Sequence, residues 1–235
     1  MTGLPKTSMS KAHLLQVLAR ELRAAGYRPV PGSKTIVYKR EDPLILTLGI
    51  EFSNRYKNRF SGSFYLGPTF EWGYMLRDLP RATYQRVGCF LTAEERHRLL
   101  DSAFTREGVV DAWWIGFTPN AVHSFVETVR TTEARFLAQP GLTPAIEASE
   151  LMRAHVDIVR RTLEAATRQV EDPPSGLQHQ PKHKMRDVSP EYYRAAELVL
   201  RQAEPSLISP DYVSLIAIDA WRMAVTGAAH AVAPR

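Results

Sequence analysis

Leu14, Leu15, Leu18 and Leu22 recur at helical spacing and predict one amphipathic helix over residues 10–25. Gly26 stands where a left-handed C-cap is wanted, and Pro29, Pro31 and Gly32 then break the chain. The period changes next. Thr35, Ile36, Val37 and Tyr38 are β-branched or aromatic, as strand residues are. Residues 44–52 alternate only partly, which suits a well-buried strand. Over 61–66, Phe64 and Leu66 fall on one face and Ser63 and Tyr65 on the other. Residues 86–90 read as a short fourth strand, and 113–117 as a fifth strand or a buried loop. The connections are short. A parallel crossover needs a dozen or more residues, so antiparallel pairing is predicted.

Helix starts are marked by their caps. Thr92 and Glu95 make a capping box, in which the hydroxyl takes the Glu95 amide and the carboxylate reaches back. Thr118-Pro119, Thr143-Pro144, Ser189-Pro190 and Ser209-Pro210 each put a hydroxyl at the N-cap and proline at the first helical position. The predicted helices are 92–103, 119–138, 144–170, 190–203 and 210–226. The longest carries Met152, Val156, Val159, Leu163, Ala166 and Val170 in alternating steps of four and three, a narrow coiled-coil-like seam. That seam packs within its own chain or forms a homodimer through 144–170. Asp157 with Arg161, and Glu164 with Arg168, are favourable i,i+4 pairs beside it.

Aromatic residues divide the chain: 18 of the 22 lie in residues 1–140, with ten of the 13 Gly. The expected fold class is α+β: an N-terminal helix and antiparallel sheet packed with helices, followed by a helical C-terminal region. The expected domains are an α+β domain over 1–140, a long connecting helix over 141–170, a flexible linker over 171–188 and a helical hairpin over 189–235. The linker is rich in Pro and poor in apolar residues.

The net charge is +5. Residues 1–140 hold 19 Lys+Arg against 13 Asp+Glu, so the basic excess sits there. It suits solubility, and also steering toward an acidic protein or a nucleic acid. No run of eighteen apolar residues occurs and no signal-peptide core opens the chain, so neither a membrane span nor a membrane partner is expected, and the cytoplasm is the expected compartment.

Catalytic signatures are missing. Gly62 to Gly67 has neither the ending of a P-loop nor the spacing of a dinucleotide fingerprint, and its glycines are expected to permit strand bends. One cysteine cannot build a Cys cluster, and Pro181 between His179 and His183 forbids the helix that would bring the two together. Cys89, between Gly88 and Phe90, is expected to be a buried inert thiol, and His97 and His155 to be surface or satisfied core residues. No catalytic or metal-binding residue is assigned and no cofactor is expected. An enzyme whose site is assembled from scattered residues stays open as the less favoured reading.

Two segments offer contact chemistry. Arg55, Tyr56, Lys57 and Arg59 interleave cations with a ring between two predicted strands, at a hairpin tip able to meet phosphates or an acidic surface. Phe70, Glu71, Trp72 and Tyr74 follow Gly67-Pro68 in a loop dense in rings, which are good protein-binding anchors or edge residues of the core.

Leu14-Leu15 with Leu18 and Leu22, Gly26-Tyr27, residues 36–40, the run Phe64-Tyr65-Leu66-Gly67-Pro68 and Arg135-Phe136-Leu137 together resemble a loose group of small bacterial domains of unknown function found in toxin–immunity and other conflict loci. The resemblance covers residues 1–140. It implies an α+β fold and a protein-binding role, and it brings no catalytic residues with it. The leading expectation is a non-enzymatic cytosolic protein-binding protein, an immunity protein that neutralises an acidic toxin domain. The alternative is a nucleic-acid-binding protein using the basic, aromatic hairpin.

Overall fold

The hydroxyl of Ser10 accepts the His13 amide at 3.2 Å and starts α1 (Lys11–Ala24). A computed structural model of the chain describes residues 8–41, 43–70, 80–99, 103–105, 112–168 and 185–227. Leu14, Leu18 and Leu22 are buried along α1. Gly26 ends it at φ +88°, in the left-handed region that side chains avoid. The Tyr27 amide then donates to the Leu22 carbonyl at 3.0 Å.

The fold class is α+β. Among the described residues the sheet has seven strands: β1 (Arg28–Pro29), β2 (Ile36–Glu41), β3 (Leu44–Phe52), β4 (Arg59–Gly67), β5 (Tyr84–Arg86), β6 (Ala103–Thr105) and β7 (Ala112–Ile115). Their order is β1-β2-β3-β4-β7-β6, with β5 also paired to β4. Both β7 and β5 run antiparallel to β4, at Arg59–Phe60 and at Ser63–Tyr65 respectively. Two short strands thus share one edge of a long one.

Among the described residues six further α-helices follow: α2 (Ala93–Arg98), α3 (Pro119–Leu137), α4 (Leu142–Ala148), α5 (Glu150–Thr167), α6 (Pro190–Ala203) and α7 (Pro210–Thr226). The capping box at Thr92 is formed, and Thr118 and Ser209 cap α3 and α7 through their hydroxyls. Four expectations are corrected. The helix expected over 92–103 stops at Arg98, and 103–105 is a strand. Residues 87–90, expected in a strand, form a 3-10 turn after β5. The helix expected from 144 begins at Leu142 and breaks at Ser149, whose hydroxyl accepts the Met152 amide and restarts the chain as α5. At Ser189 the hydroxyl gives α6 no backbone cap and instead hydrogen-bonds the Glu191 carboxylate, holding that group below its ordinary pKa of 4.5.

Contacts divide the chain into two units. The first holds Met1–Lys39, Leu46–Leu66 and Arg81–Ala145; the second holds Arg40–Ile45, Gly67–Pro80 and Ile146–Arg235.

In the first unit α3 buries Val122, Phe125, Val126, Val129 and Phe136. Phe125 meets Trp114 edge-on at 4.9 Å and Phe60 at 5.4 Å, and Phe64 stacks on Phe136 at 5.2 Å. Aromatic pairs at such separations add to what their buried area supplies. Gly62 belongs to this packing. A Cβ there would stand 2.8 Å from Cζ of Phe125, so close approach of α3, not a strand bend, requires glycine. Lys39 and Tyr27 both hydrogen-bond the half-buried Glu133 carboxylate, at 2.6 and 2.7 Å.

In the second unit α5, α6 and α7 pack pairwise. Alanines 195, 196, 217 and 220 are buried among Tyr193, Leu200, Val213, Ile216 and Met223. The buried line of α5 is Met152, His155, Ile158, Val159 and Thr162. It departs from the expected seam, because Val156, Leu163 and Ala166 are half-buried while a histidine and a threonine point inward. The two expected ion pairs are formed: Asp157 with Arg161 at 3.8 Å and Glu164 with Arg168 at 3.6 Å. The end of the expected linker is ordered. The Met185 amide donates to the Tyr193 hydroxyl at 2.9 Å, and Val188 is buried.

Candidate binding surface

Side-chain parity assigns the two faces of β4. Phe60, Gly62 and Phe64 face α3, so Arg59, Ser61, Ser63 and Tyr65 face the opposite way. The cross-strand register extends that second face. Arg59 lies opposite Ile115, Ser63 opposite Arg86, and Tyr65 opposite Tyr84.

At the tip of the β3–β4 hairpin the Ser53 amide donates to the Arg59 carbonyl at 3.0 Å. The Ser53 hydroxyl accepts the amides of Arg55 and Tyr56, at 3.2 and 3.0 Å, and bends the loop. Residues 54–58 are exposed. The Arg59 guanidinium lies over the Tyr56 ring at 4.0 Å, and that of Arg55 at 5.6 Å. Both are cation–π contacts to the one ring, that of Arg59 the closer. Tyr56 is 43% exposed, and Ile115 41%. Gly116, at φ +77°, turns the chain after β7 and donates its amide to the Asn58 carbonyl at 2.8 Å. Two of the three exposed large apolar side chains among the described residues therefore stand at this one end of the sheet. Among those residues no carboxylate forms an ion pair with Arg55 or Lys57.

Behind the tip lies a polar cluster. Glu51 accepts from the hydroxyls of Ser63 at 2.5 Å and Tyr84 at 3.1 Å, and pairs with Arg86 at 2.8 Å. Arg86 also lies over the Trp113 ring at 4.7 Å. Burial pushes the Tyr84 hydroxyl above its ordinary pKa of 10, against the Ser63 hydrogen bond and with the Glu51 charge. Tyr84 therefore stays protonated and donates. Both hydroxyls point at a carboxylate already neutralised by arginine, an arrangement that fixes the sheet face.

The expected contact residues Arg55, Tyr56, Lys57 and Arg59 thus come together on one hairpin. Phe70 does not join them, since it is fully buried and serves the core. Glu71, Trp72 and Tyr74 lie outside the described residues. Ile115 has no signal in the sequence, because the β4–β7 pairing that brings it to Arg59 spans more than fifty residues.

In the second unit His155 and Asp219 are both buried, with Nε2 and Oδ2 3.0 Å apart. His155 Nδ1, Asp219 Oδ1 and Thr162 Oγ1 are buried with no hydrogen-bond partner among the described residues. Cys89 is half-buried rather than buried. Among the described residues no group of three or more His, Cys, Asp or Glu could hold a metal ion. No helix among them is long and apolar enough to cross a membrane. Comparison with family models, with curated proteins and with solved structures finds no match for this chain.

Proposed function

We propose that the chain is a non-enzymatic cytoplasmic protein-binding protein, of the immunity type that neutralises a bacterial toxin, and that its contact surface is the hairpin end of the sheet. The observation that carries this reading is that Tyr56 and Ile115 stand exposed at one end of the sheet, with the half-buried Arg59 against the Tyr56 ring. Tyrosine and arginine are the residue types that dominate binding energy at interfaces, because each buries much area with few rotors or makes strong directed contacts. Arg55 and Lys57, which pair with no carboxylate among the described residues, favour an acidic partner. The toxin as partner rests on the resemblance of residues 1–140 alone.

The same cations support a second reading, nucleic-acid binding. The geometry favours protein, since the Arg59 guanidinium occupies a face of the Tyr56 ring on which a base would stack. Titration of the purified chain with toxins encoded beside its gene, together with a protection assay in cells, tests the proposal. Tight binding with protection is expected. Binding to none of them, with no protection, overturns it.

A further inference from the structure

We propose that the docking surface reaches beyond the hairpin: Lys11 and Lys34 join Arg55 and Lys57 in a rim of cations that receives the acidic face of a partner protein around Tyr56 and Ile115. The proposal rests on the protein-binding reading and names the chemistry of the partner face. All four cations are exposed, and none pairs with a carboxylate among the described residues. Backbone hydrogen bonds carry them, from three separate segments, to one end of the sheet. The Thr35 carbonyl accepts the Ile50 amide at 2.6 Å, which sets Lys34 alongside the end of β3. The Met9 amide donates to the Phe117 carbonyl at 2.7 Å and sets the start of α1 beside the chain leaving β7. Lys11 Nζ then lies 3.9 Å from the centre of the ring of Phe52, the last residue of β3. With strands about 4.8 Å apart, the surface from β2 across β3 and β4 to β7 spans about 15 Å. An apolar centre inside a polar rim is the anatomy of a protein interface.

The place of Lys11 favours binding over stability. It is the first residue of α1, where the helix dipole favours an acidic side chain, and that first turn holds none. A phosphodiester chain would meet the charges and leave Ile115 without a counterpart.

The test uses the full chain labelled with 15N, at low salt. Three probes are titrated in: a capped peptide of glutamates and leucines, its counterpart with serine for leucine, and a thymidylate oligomer of equal charge. Expected are saturable amide shifts at residues 10–13, 33–36, 52–59 and 115–118, with the glutamate–leucine peptide the tightest of the three. Lys11→Glu combined with Lys34→Glu should weaken that peptide about tenfold, and the loss should shrink at high salt, where exposed charges are screened. Lys11→Glu alone should weaken it while keeping or raising the melting temperature, because a carboxylate suits the helix start. Undiminished affinity in the double variant overturns the extended rim and leaves the protein-binding reading standing. A lowered melting temperature in Lys11→Glu makes Lys11 a structural residue and removes it from the rim. No shift with either peptide overturns the acidic-face chemistry. Tighter binding of the thymidylate at the same amides overturns both the rim and the protein-binding reading.

Discussion

Gly62 on β4 lies directly beneath Phe125 of α3, at a distance that admits no side chain on the strand. Phe125 cannot swing aside, because Trp114 and Phe60 hold its ring edge-on. Gly62→Ala is therefore expected to destabilise the chain by about 1–3 kcal/mol, the usual cost of overpacking. Urea unfolding measures it. Pairing the substitution with Phe125→Leu should recover part of the loss, and a fully stable single variant would contradict the packing account.

The capping box at α2 sets an acid limb of stability. Glu95 accepts two hydrogen bonds from Arg135, at 2.6 and 2.8 Å, and one from the Thr92 amide. The Arg135 hydrogen bonds first, then the Thr92 amide, hold its carboxyl at about 2, below the ordinary 4.5. A depressed folded-state pKa means stability complete above pH 4.5 and lost as the pH falls from 4.5 toward 2. In Arg135→Ala the acid transition should move up toward the ordinary carboxylate range, as followed by circular dichroism against pH. An unchanged transition would show that the pair adds nothing.

His155 and Asp219 are a buried pair, and the two ways of removing it should differ. Asp219→Ala leaves the imidazole without its only hydrogen-bond partner among the described residues and is expected to cost about 3–5 kcal/mol. Replacing both by apolar residues of similar volume, His155→Phe with Asp219→Leu, should recover most of that loss. Thermal unfolding of the three variants decides it. Equal losses in the single and double variants would contradict a coupled pair.

Much of the fold is legible in the residues themselves. Thr92, Thr118 and Ser209 mark helix starts because a cap is local chemistry, readable over four positions. The helix 210–226 has the expected bounds for that reason, whereas 190–203 keeps its expected bounds with Pro190 at its first turn and no hydroxyl cap from Ser189. β5 and β6 are illegible, since three residues carry no period. Their places are set by pairing with β4 and β7 rather than by their own residues. The inward turn of His155 is hidden in the same way. An imidazole on a helix declares neither face, and its partner Asp219 lies 64 residues away. Of the candidate surface, the hairpin residues 55–59 are visible as a contiguous pattern. Ile115 becomes visible only through the register, and Phe70, identical in kind to a surface ring, is drawn into the core.

On the proposed reading, Tyr56 and the arginines against its ring anchor a protein partner. Once a toxin that binds the chain is in hand, the most direct measurement is its calorimetric affinity for the unmodified chain and for Tyr56→Ala, at one salt concentration and with the melting temperature of each recorded. An exposed hot-spot ring predicts at least about tenfold weaker binding with little change in melting temperature. Undiminished affinity in the variant would contradict the claim.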